Sequence, residues 1–498
     1  MGPIRDEVGL EQGGPNSSDY YKLYSNENLT AAQKSVQGID LGSSAGKHQV
    51  ISAIGLADDT VLAANKLTNL SNILFLTQNY CRKYGVTLCH DKTKLLKITK
   101  SDNSDNELYN YNPISIDNHS IGLSDTAEHV GVLRSNDGNM PHILSRMCAH
   151  RKALRATLSS GLSQKSRANP LVGLRLQRVY GLPVLLSGVG CLALTGSEIS
   201  TLDKHLKETH LNIQKLLQNT PCTVVHFLGG TLPGAADVHL RILSLFGMVA
   251  RLRGDPLHLH AEKVLTCAKS SSKSWFLLVR DICLMYALPH PLTILEQQPS
   301  KEAFKKEVKA KVVSYWENKL RGESELLPSL KYFQPEFMSL TKPHPFWSTA
   351  GSSPYEISKA IQQARFLSGR YRSAALTSHW SSCNREGYCF SPTCYNLVES
   401  VEHILIHCGA YSDCRSRLCS LWLSTQNTVI YTLLVEALTS DTEYLLQFIL
   451  DCSVLPQVIS ATQAHGAEIL HGIFYLTRSW CFSIHKQRMR KLGRWNFQ

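Results

Sequence analysis

The chain has 498 residues, of which 43% are hydrophobic and 18% charged, a composition that excludes disordered and fibrous proteins and is typical of globular ones. Lys and Arg number 52 against 40 Asp and Glu, so the formal net charge is +12. This excess favours an anionic partner such as nucleic acid, although a basic protein without such a partner has the same composition. The length allows two to four domains.

The 15 cysteines lie mostly in apolar stretches, which favours free thiols in a reducing compartment. Met1 is followed by Gly-Pro-Ile-Arg-Asp-Glu and not by an apolar run, so we expect no secretory signal. The uncharged residues 179–197 contain glycines and a proline, and they predict a buried helix pair and not a membrane span. We therefore expect an intracellular protein, in the cytoplasm and nucleus, with no membrane partner.

In chain order, a turn-rich start is followed by a predicted helix from Asp19. Residues 50–64 then predict two short strands that meet at an acidic turn, Asp58 and Asp59. Residues 67–84 have the apolar spacing of a helix, residues 101–120 predict a loop or hairpin, and residues 127–133 predict another strand.

From about residue 140 the pattern changes to helices with a 3.6-residue apolar spacing, which continues to about residue 340. A Pro-, His- and Ser-rich break at residues 341–354 predicts a domain boundary. A further helix, a Cys/His cluster and two or three closing helices follow. The expected fold class is therefore α+β, with the strands near the start and helices after them.

The acidic pair is a candidate metal site. Adjacent acids at a turn are usually solvated, but strands on both sides strengthen the prediction. Carboxylates at such a turn can hold Mg²⁺ or Mn²⁺ for phosphoryl transfer, in which the metals activate a 3′-hydroxyl and neutralise the leaving pyrophosphate. Asp58 and Asp59 are the candidate ligands.

Four motifs in this order resemble the palm of reverse transcriptases from non-LTR, LINE-type retrotransposons. Residues 9–17 (GLEQGGPNS) are similar to the motif that contacts the template and the incoming nucleotide. The resemblance therefore implies substrate-binding roles for Gln12, Gly13 and Ser17. Residues 55–59 (GLADD) match the acidic metal motif, which implies that Asp58 and Asp59 are catalytic.

The other two motifs follow the acidic pair. Residues 91–94 (DKTK) resemble the lysine-bearing strand that comes after a palm helix, so the resemblance implies that Lys92 and Lys94 bind substrate. Residues 129–132 (HVGV) resemble the primer-grip hairpin. The family implies an RNA template, a DNA primer or target, and deoxynucleotides if the chain is active, and leaves the oligomeric state open.

The helical part resembles the thumb of the same polymerases, where helices clasp the template–primer duplex through its shape and backbone charge. Four basic residues open this segment and are expected to touch phosphates: Arg146, Arg151, Lys152 and Arg155. A solvated helix face explains any single one of them equally well.

Polymerases of this type also use a third carboxylate, from a palm strand well upstream of the glutamine-glycine motif. Asp6 and Glu7 lie too close to that motif to supply it. We therefore expect the C-terminal portion of an RNA-directed DNA polymerase with impaired activity. The alternative is a catalytically inactive nucleic-acid-binding protein derived from such an element.

Near the end of the chain, three cysteines and one histidine fall within twenty residues. Tetrahedral zinc accepts such a set, and four protein ligands indicate a structural and not a catalytic site. The spacing resembles the zinc knuckle of non-LTR retrotransposon proteins, whereas a chance cluster is the alternative. The expected Zn²⁺ ligands are Cys389, Cys394, His403 and Cys408, and the nearby competitors are Cys383, His407 and Cys414.

The chain ends in a basic, aromatic tail, which suits nucleic acid, although a solvated end is the alternative. The expected nucleic-acid-binding residues here are Lys486, Arg488, Arg490 and Lys491. The predicted domains are a partial palm (1–138), a helical thumb (139–220), a helical connector (221–345) and a C-terminal region with knuckle and tail (346–498).

Overall fold

The computed structural model describes residues 17–35, 37–44, 47–56, 59–98, 114–159, 168–267, 273–377 and 387–492. Within these ranges the protein is mostly helical with four small antiparallel sheets, in agreement with the broad α+β prediction. The chain forms two compact units: Met1–Ser145 with Ser187–Leu194 and Ile242–Phe304, and Arg146–Leu186 with Thr195–Arg241 and Lys305–Gln498. These units interleave along the sequence and so differ from the four consecutive domains expected.

The strands of the first unit follow helix α1 (Ser17–Lys34) and form hairpins. They are β1 (Ile39–Ser44) with β2 (Lys47–Ile51), β3 (Ala53–Leu56) with β4 (Asp59–Leu62), β5 (Ser115–Ile116) with β6 (His119–Ser120), and β7 (Thr126–His129) with β8 (Val132–Ser135). Each described sheet has only these two strands. The strands predicted on both sides of the acidic turn are therefore present, as an isolated hairpin.

Backbone geometry closes the β7–β8 hairpin. Val130 and Gly131 have φ angles of 51° and 71°, and positive φ at both central positions is the turn geometry that matches the twist of the flanking strands. A hairpin, as the resemblance implies at residues 129–132, is thus present as local structure. The single strand predicted over residues 127–133 is wrong, because the chain reverses at Val130 and Gly131.

Helix α2 (Leu67–Tyr84) covers a small core and confirms the helix predicted there. Leu74 packs with Ile114, Ile116 and Ile121, all of them buried. The helix ends at Gly85, which adopts the left-handed conformation that glycine tolerates at a C-terminus. In the described stretch up to residue 98, the lysine-bearing strand predicted after it is absent, because residues 90–92 make a turn and the pairing found there is a single bridge at Leu95.

Among the described residues, helices predominate from residue 140 onward, and those up to about residue 340 were predicted by the periodicity. They are α3 (Met140–Ser159), α4 (Pro170–Leu176), α5 (Leu182–Leu185), α6 (Gly196–Gln214), α7 (Cys222–Gly229), α8 (Gly234–Ala250), α9 (Pro256–Cys267), α10 (Trp275–Met285), α11 (Pro291–Gln297), α12 (Lys301–Glu325), α13 (Pro345–Ser348), α14 (Pro354–Leu367), α15 (Ala374–Thr377), α16 (Ser412–Leu423), α17 (Thr428–Thr439), α18 (Thr442–Leu450), α19 (Pro456–His465) and α20 (Ala467–Lys491).

The helix pair predicted at residues 179–197 is wrong. This stretch contains the end of a π-helical segment (Gln177–Gly181), the single turn α5 and a 3-10 turn (Val189–Cys191). Gly188, with a φ angle of 72°, interrupts the helical path because it adopts a left-handed conformation. Among the described residues, no single helix has the length and apolar composition to cross a membrane; α7 and α8, bent by 64°, meet both criteria only as a pair.

The C-terminal helices pack around α20, which is the element that positions the Cys/His cluster. Trp480 of α20 lies 4.7 Å from Trp422 of α16, measured between ring centroids, and both rings are buried. The indole N–H of Trp480 donates to the carbonyl oxygen of Leu405 at 3.2 Å. The cluster is therefore held against a helical core and is not an appendage.

Candidate metal centre

The first two ligands lie on a short antiparallel ribbon, residues 387–399. Tyr388 bridges Val398, and the Cys389 N–H donates to the Leu397 carbonyl oxygen at 2.8 Å. The ribbon reverses at Asn396, whose φ angle of 56° is left-handed, a conformation that asparagine adopts more readily than most residues. Cys389 therefore lies on the first arm of the ribbon, and Cys394 lies just before the reversal, at the end of a 3-10 turn (Pro392–Cys394).

The other two ligands flank a π-helical turn, His403–His407. The Cys408 N–H donates to the His403 carbonyl oxygen at 2.7 Å, the i to i+5 bond that closes such a turn. This wide turn brings the His403 ring and the Cys408 thiol to the same side. Helix α16 begins only afterwards, at Ser412.

The four side chains converge. Their ligand atoms all lie within 4.8 Å of one another. The Sγ atom of Cys408 is 3.6 Å from that of Cys389 and 3.8 Å from that of Cys394. Tetrahedral zinc with Zn–S bonds of about 2.3 Å separates two sulfurs by about 3.8 Å. The geometry therefore fits a four-coordinate metal ion.

His403 supplies a second, independent indication. Its ring is 6% exposed, and its Nε2 atom is buried without a hydrogen-bond partner among the described residues. A buried polar atom without a partner destabilises the fold unless a ligand satisfies it. This Cys3His group could bind a metal such as zinc, in agreement with the predicted ligand set.

The protonation of the three thiols is relevant to metal binding. Burial raises the pKa of Cys408 to about 12 and also raises the pKa of Cys389. Burial acts on Cys394 in the same direction, but hydrogen bonds from the Gly409 N–H and the Thr393 hydroxyl lower its pKa overall. Zinc binds thiolates, so a bound zinc ion would favour the ionised form of these three cysteines.

The two competing ligands that the structure describes, His407 and Cys414, do not join the group. His407 is exposed and its Nε2 atom lies 3.5 Å from a carboxylate oxygen of Glu402. Cys414 is buried on α16 outside the converging set. Cys383 lies outside the described residues.

A buried ion pair ties the ribbon to α20. Arg488 is 3% exposed and donates to the two carboxylate oxygens of Glu399 at 3.1 and 2.8 Å. Glu399 also accepts from the Ala374 N–H at 2.6 Å. The prediction that Arg488 binds nucleic acid is wrong, because its guanidinium group is already used inside the protein. The other predicted tail residues, Lys486, Arg490 and Lys491, are exposed, and Lys491 also donates to the Ala410 carbonyl oxygen.

The predicted magnesium site is described only in part. Asp59 is the first residue of β4 and pairs with Leu56, whereas Asp58 lies outside the described residues. Among the residues that the structure describes, no group of three or more metal ligands includes Asp59.

The predicted substrate-binding residues are not brought together by described contacts. Gln12 and Gly13 lie outside the described residues, and Ser17 is the first residue of α1. Lys92 and Lys94 are exposed beside the turn that follows α2.

Three of the four predicted thumb residues are exposed on α3, namely Arg151, Lys152 and Arg155. None of the three forms a salt bridge with a described residue. Arg146 differs, because it is half-buried and its Nε atom has no partner in the described part of the chain.

A buried Ser/His/Asp cluster was not predicted from the sequence. The Nε2 atom of His344 lies 3.1 Å from Asp451 Oδ2 and 3.3 Å from Ser453 Oγ, while its Nδ1 atom accepts from the Phe346 N–H. In a nucleophilic triad the serine and the aspartate meet opposite ring nitrogens. Here both meet the same nitrogen, so the cluster caps α13 and is not a catalytic triad.

A second unpredicted group is a set of buried histidines. The Nδ1 atom of His150 lies 2.8 Å from Nε2 of His205, and the other ring nitrogen of His150 lies 2.9 Å from the Gln177 side-chain oxygen. His210 and His226 form a T-shaped pair nearby in sequence, with ring centroids 5.8 Å apart. Their spacing along the chain carries no motif that could have predicted this arrangement.

No protein-family model and no curated protein matches this chain.

Proposed function

We propose that this chain derives from a non-LTR retrotransposon reverse transcriptase, and that its function is to bind RNA and DNA through exposed basic surfaces, with a structural zinc ion organising the C-terminal region. The observation that carries the proposal is the convergence of the Cys3His side chains at zinc-binding distances, at the spacing that resembles the family's knuckle. The role of the zinc ion is structural and not catalytic: it holds the ribbon and the π-helical turn together.

Charge supports the same function. Net charge is +12, and the exposed basic residues of α3 have no carboxylate partner among the described residues. Helix α12 also has exposed basic residues, namely Lys305, Lys306 and Lys309. Its buried face is formed by apolar residues at four-residue spacing from Phe304 to Leu320. Unpaired basic side chains on one helix face suit a phosphate backbone.

RNA-directed DNA polymerase activity is the second candidate function. What favours it is the β3–β4 hairpin, since the acidic motif lies between two paired strands as the family resemblance requires. In this role Asp58 and Asp59 would hold Mg²⁺ or Mn²⁺, and the metal would neutralise charge on the incoming deoxynucleotide.

The binding function is tested by titrating the zinc-loaded chain with labelled duplex and single-stranded nucleic acid over a series of salt concentrations. A triple variant removes the unpaired charges of α3: Arg151→Gln, Lys152→Gln and Arg155→Gln. If these residues contact phosphates, the slope of log affinity against log salt should fall by about 2 to 3 for duplex DNA.

The matched control removes the same charge from residues that already have carboxylate partners at 3.1–3.2 Å: Arg82→Gln, Arg280→Gln and Lys331→Gln. This control should leave the slope nearly unchanged. If both triple variants lower the salt slope equally, net charge alone attracts the nucleic acid. If the parent chain does not bind at low salt, the proposed function is overturned.

A further inference from the structure

The ribbon of the metal centre carries an unusual exposed surface. Large apolar and aromatic side chains rarely cluster on a soluble surface unless they bind something. Four of them occur within eleven residues, and we name them the ribbon patch: Tyr388, Tyr395, Leu397 and Val398, exposed by 43, 84, 52 and 55%.

The ribbon orders the backbone that carries these side chains. Tyr388 and Val398 are bridge partners across the ribbon, so their side chains project on the same face. Tyr395 lies between the ligand Cys394 and the reversal at Asn396. A pre-ordered surface loses less conformational entropy on binding than a flexible loop does.

Positive charge lies next to the ribbon patch. The Gly409 N–H donates to Cys394 Sγ, and the adjacent Ala410 carbonyl oxygen accepts from Lys491. The end of α20 is therefore beside the loop that carries Tyr395. Residues 387–423 and 484–492 together contain six Lys and Arg against three Asp and Glu, and the buried Glu399–Arg488 pair removes one of each. Arg417, Arg490 and Lys491 are exposed.

We infer that the ribbon patch is a stacking surface for the bases of single-stranded nucleic acid, with the neighbouring basic residues contacting its phosphates. Exposed aromatic rings stack on bases only where those bases are not already stacked in a duplex, which selects single strands. This inference rests on the proposed nucleic-acid-binding function and adds to it the strand state and the residues that recognise it.

The test compares the zinc-loaded full chain with its Tyr395→Ala variant, by fluorescence anisotropy on a labelled single-stranded RNA of mixed sequence and on a duplex of the same length. Loss of the ring should weaken single-strand binding about tenfold and leave duplex binding unchanged. Tyr395→Phe keeps the ring and should restore the parent affinity. Because the Tyr395 side chain is largely exposed, zinc content and the urea midpoint should not change.

Tyr431→Ala is the matched control, since Tyr431 is also an exposed tyrosine, 42% accessible, on helix α17. It should bind both nucleic acids as the parent does. The stacking role of the ribbon patch is overturned if Tyr395→Ala binds the single strand as the parent does, or if its affinity for the duplex falls by the same factor. Either result leaves the proposed function intact. A parent chain that binds neither nucleic acid overturns both.

Discussion

At the scale of single residues, the metal centre and the Glu399–Arg488 ion pair differ in how their buried polar groups are satisfied. His403 offers a buried ring nitrogen that no described group satisfies, and three thiols crowd around it. Glu399 and Arg488 are as deeply buried, but they satisfy one another through two hydrogen bonds. A metal ion could complete the first arrangement, whereas the second is complete within the protein.

Replacing Cys394 with Ser should abolish zinc binding. Three ligands and a hydroxyl do not hold structural zinc tightly, and the residues between the ligands are too few to form a core of their own, so metal binding and local folding are coupled. Elemental analysis should fall from about one zinc per chain to none. Hydrogen exchange should accelerate over residues 387–411 and stay slow in α6 and α7.

Cys414→Ser is the control for this variant, because Cys414 is a buried cysteine outside the converging group. It should retain zinc. A parent chain that carries no zinc after purification without chelators would refute the metal centre.

Replacing Arg488 with Met should destabilise the second unit by about 3 to 5 kcal/mol, because it leaves the Glu399 carboxylate buried without a partner. Urea unfolding followed by circular dichroism measures the loss. Adding Glu399→Gln should recover part of it, since the uncompensated charge is then gone. A loss of nucleic-acid affinity in Arg488→Met at unchanged stability would show instead that this residue contacts phosphate.

At the scale of elements, a β-hairpin and a long helix carry the two candidate functions. The β3–β4 hairpin brings Leu56 opposite Asp59, so any metal bound at the acidic motif lies at one end of two paired strands. Helix α20 contacts both parts of the metal centre. Trp480 donates to the π-helical turn at Leu405, and Arg488 donates to the ribbon at Glu399. Its exposed Lys486 and Arg490 remain on the surface beside these buried anchors.

Polymerase activity, if the chain has it, should depend on the hairpin. Asp58→Asn and Asp59→Asn each remove a charged oxygen ligand, so primer extension on an RNA template with Mg²⁺ or Mn²⁺ should vanish in either variant. The exposed Asp281→Asn, on α10, is a control with the same change of side chain outside the four motifs and should keep the parent activity. If primer extension persists in both Asp58→Asn and Asp59→Asn, the acidic pair is not the metal site.

At the scale of the whole molecule, buried histidines make the second unit sensitive to acid. Burial lowers the pKa of His205, His226 and His239 to about 4 and that of His210 to about 3, below the ordinary value of 6.5. The unfolded chain therefore binds more protons than the folded one between about pH 4 and 6.5. The stability that these four histidines contribute is complete above pH 6.5 and is lost as the pH falls through this window. The buried Asp237, whose pKa burial raises to about 7, has the opposite effect and offsets part of this loss.

Each of these histidines should contribute a loss of about 1 kcal/mol per pH unit across the window. Urea midpoints measured from pH 7.5 down to 5 should therefore decline steeply. His239→Gln removes one titrating group and should make the decline shallower. A midpoint that does not change over this range would contradict the neutral, buried state of the cluster.

The sequence by itself determined the features that depend on neighbours along the chain. An apolar run interrupted by the acidic pair predicted strands β3 and β4. The spacing of apolar residues predicted helix α2 and the helices between about residues 140 and 340, since such a pattern decides which face of an element is buried. The spacing of Cys389, Cys394, His403 and Cys408 predicted the ligand set, because soft ligands this close in sequence have few other arrangements.

Only the tertiary structure decided the features that depend on contacts between distant segments. Arg488 looks like one more basic residue of the tail, and it is buried because Glu399, 89 positions earlier, accepts both of its hydrogen bonds. His150 and His205 are 55 residues apart, yet their rings share a hydrogen bond. No local pattern encodes such pairs, because burial and partner are properties of the packed core and not of the residue type.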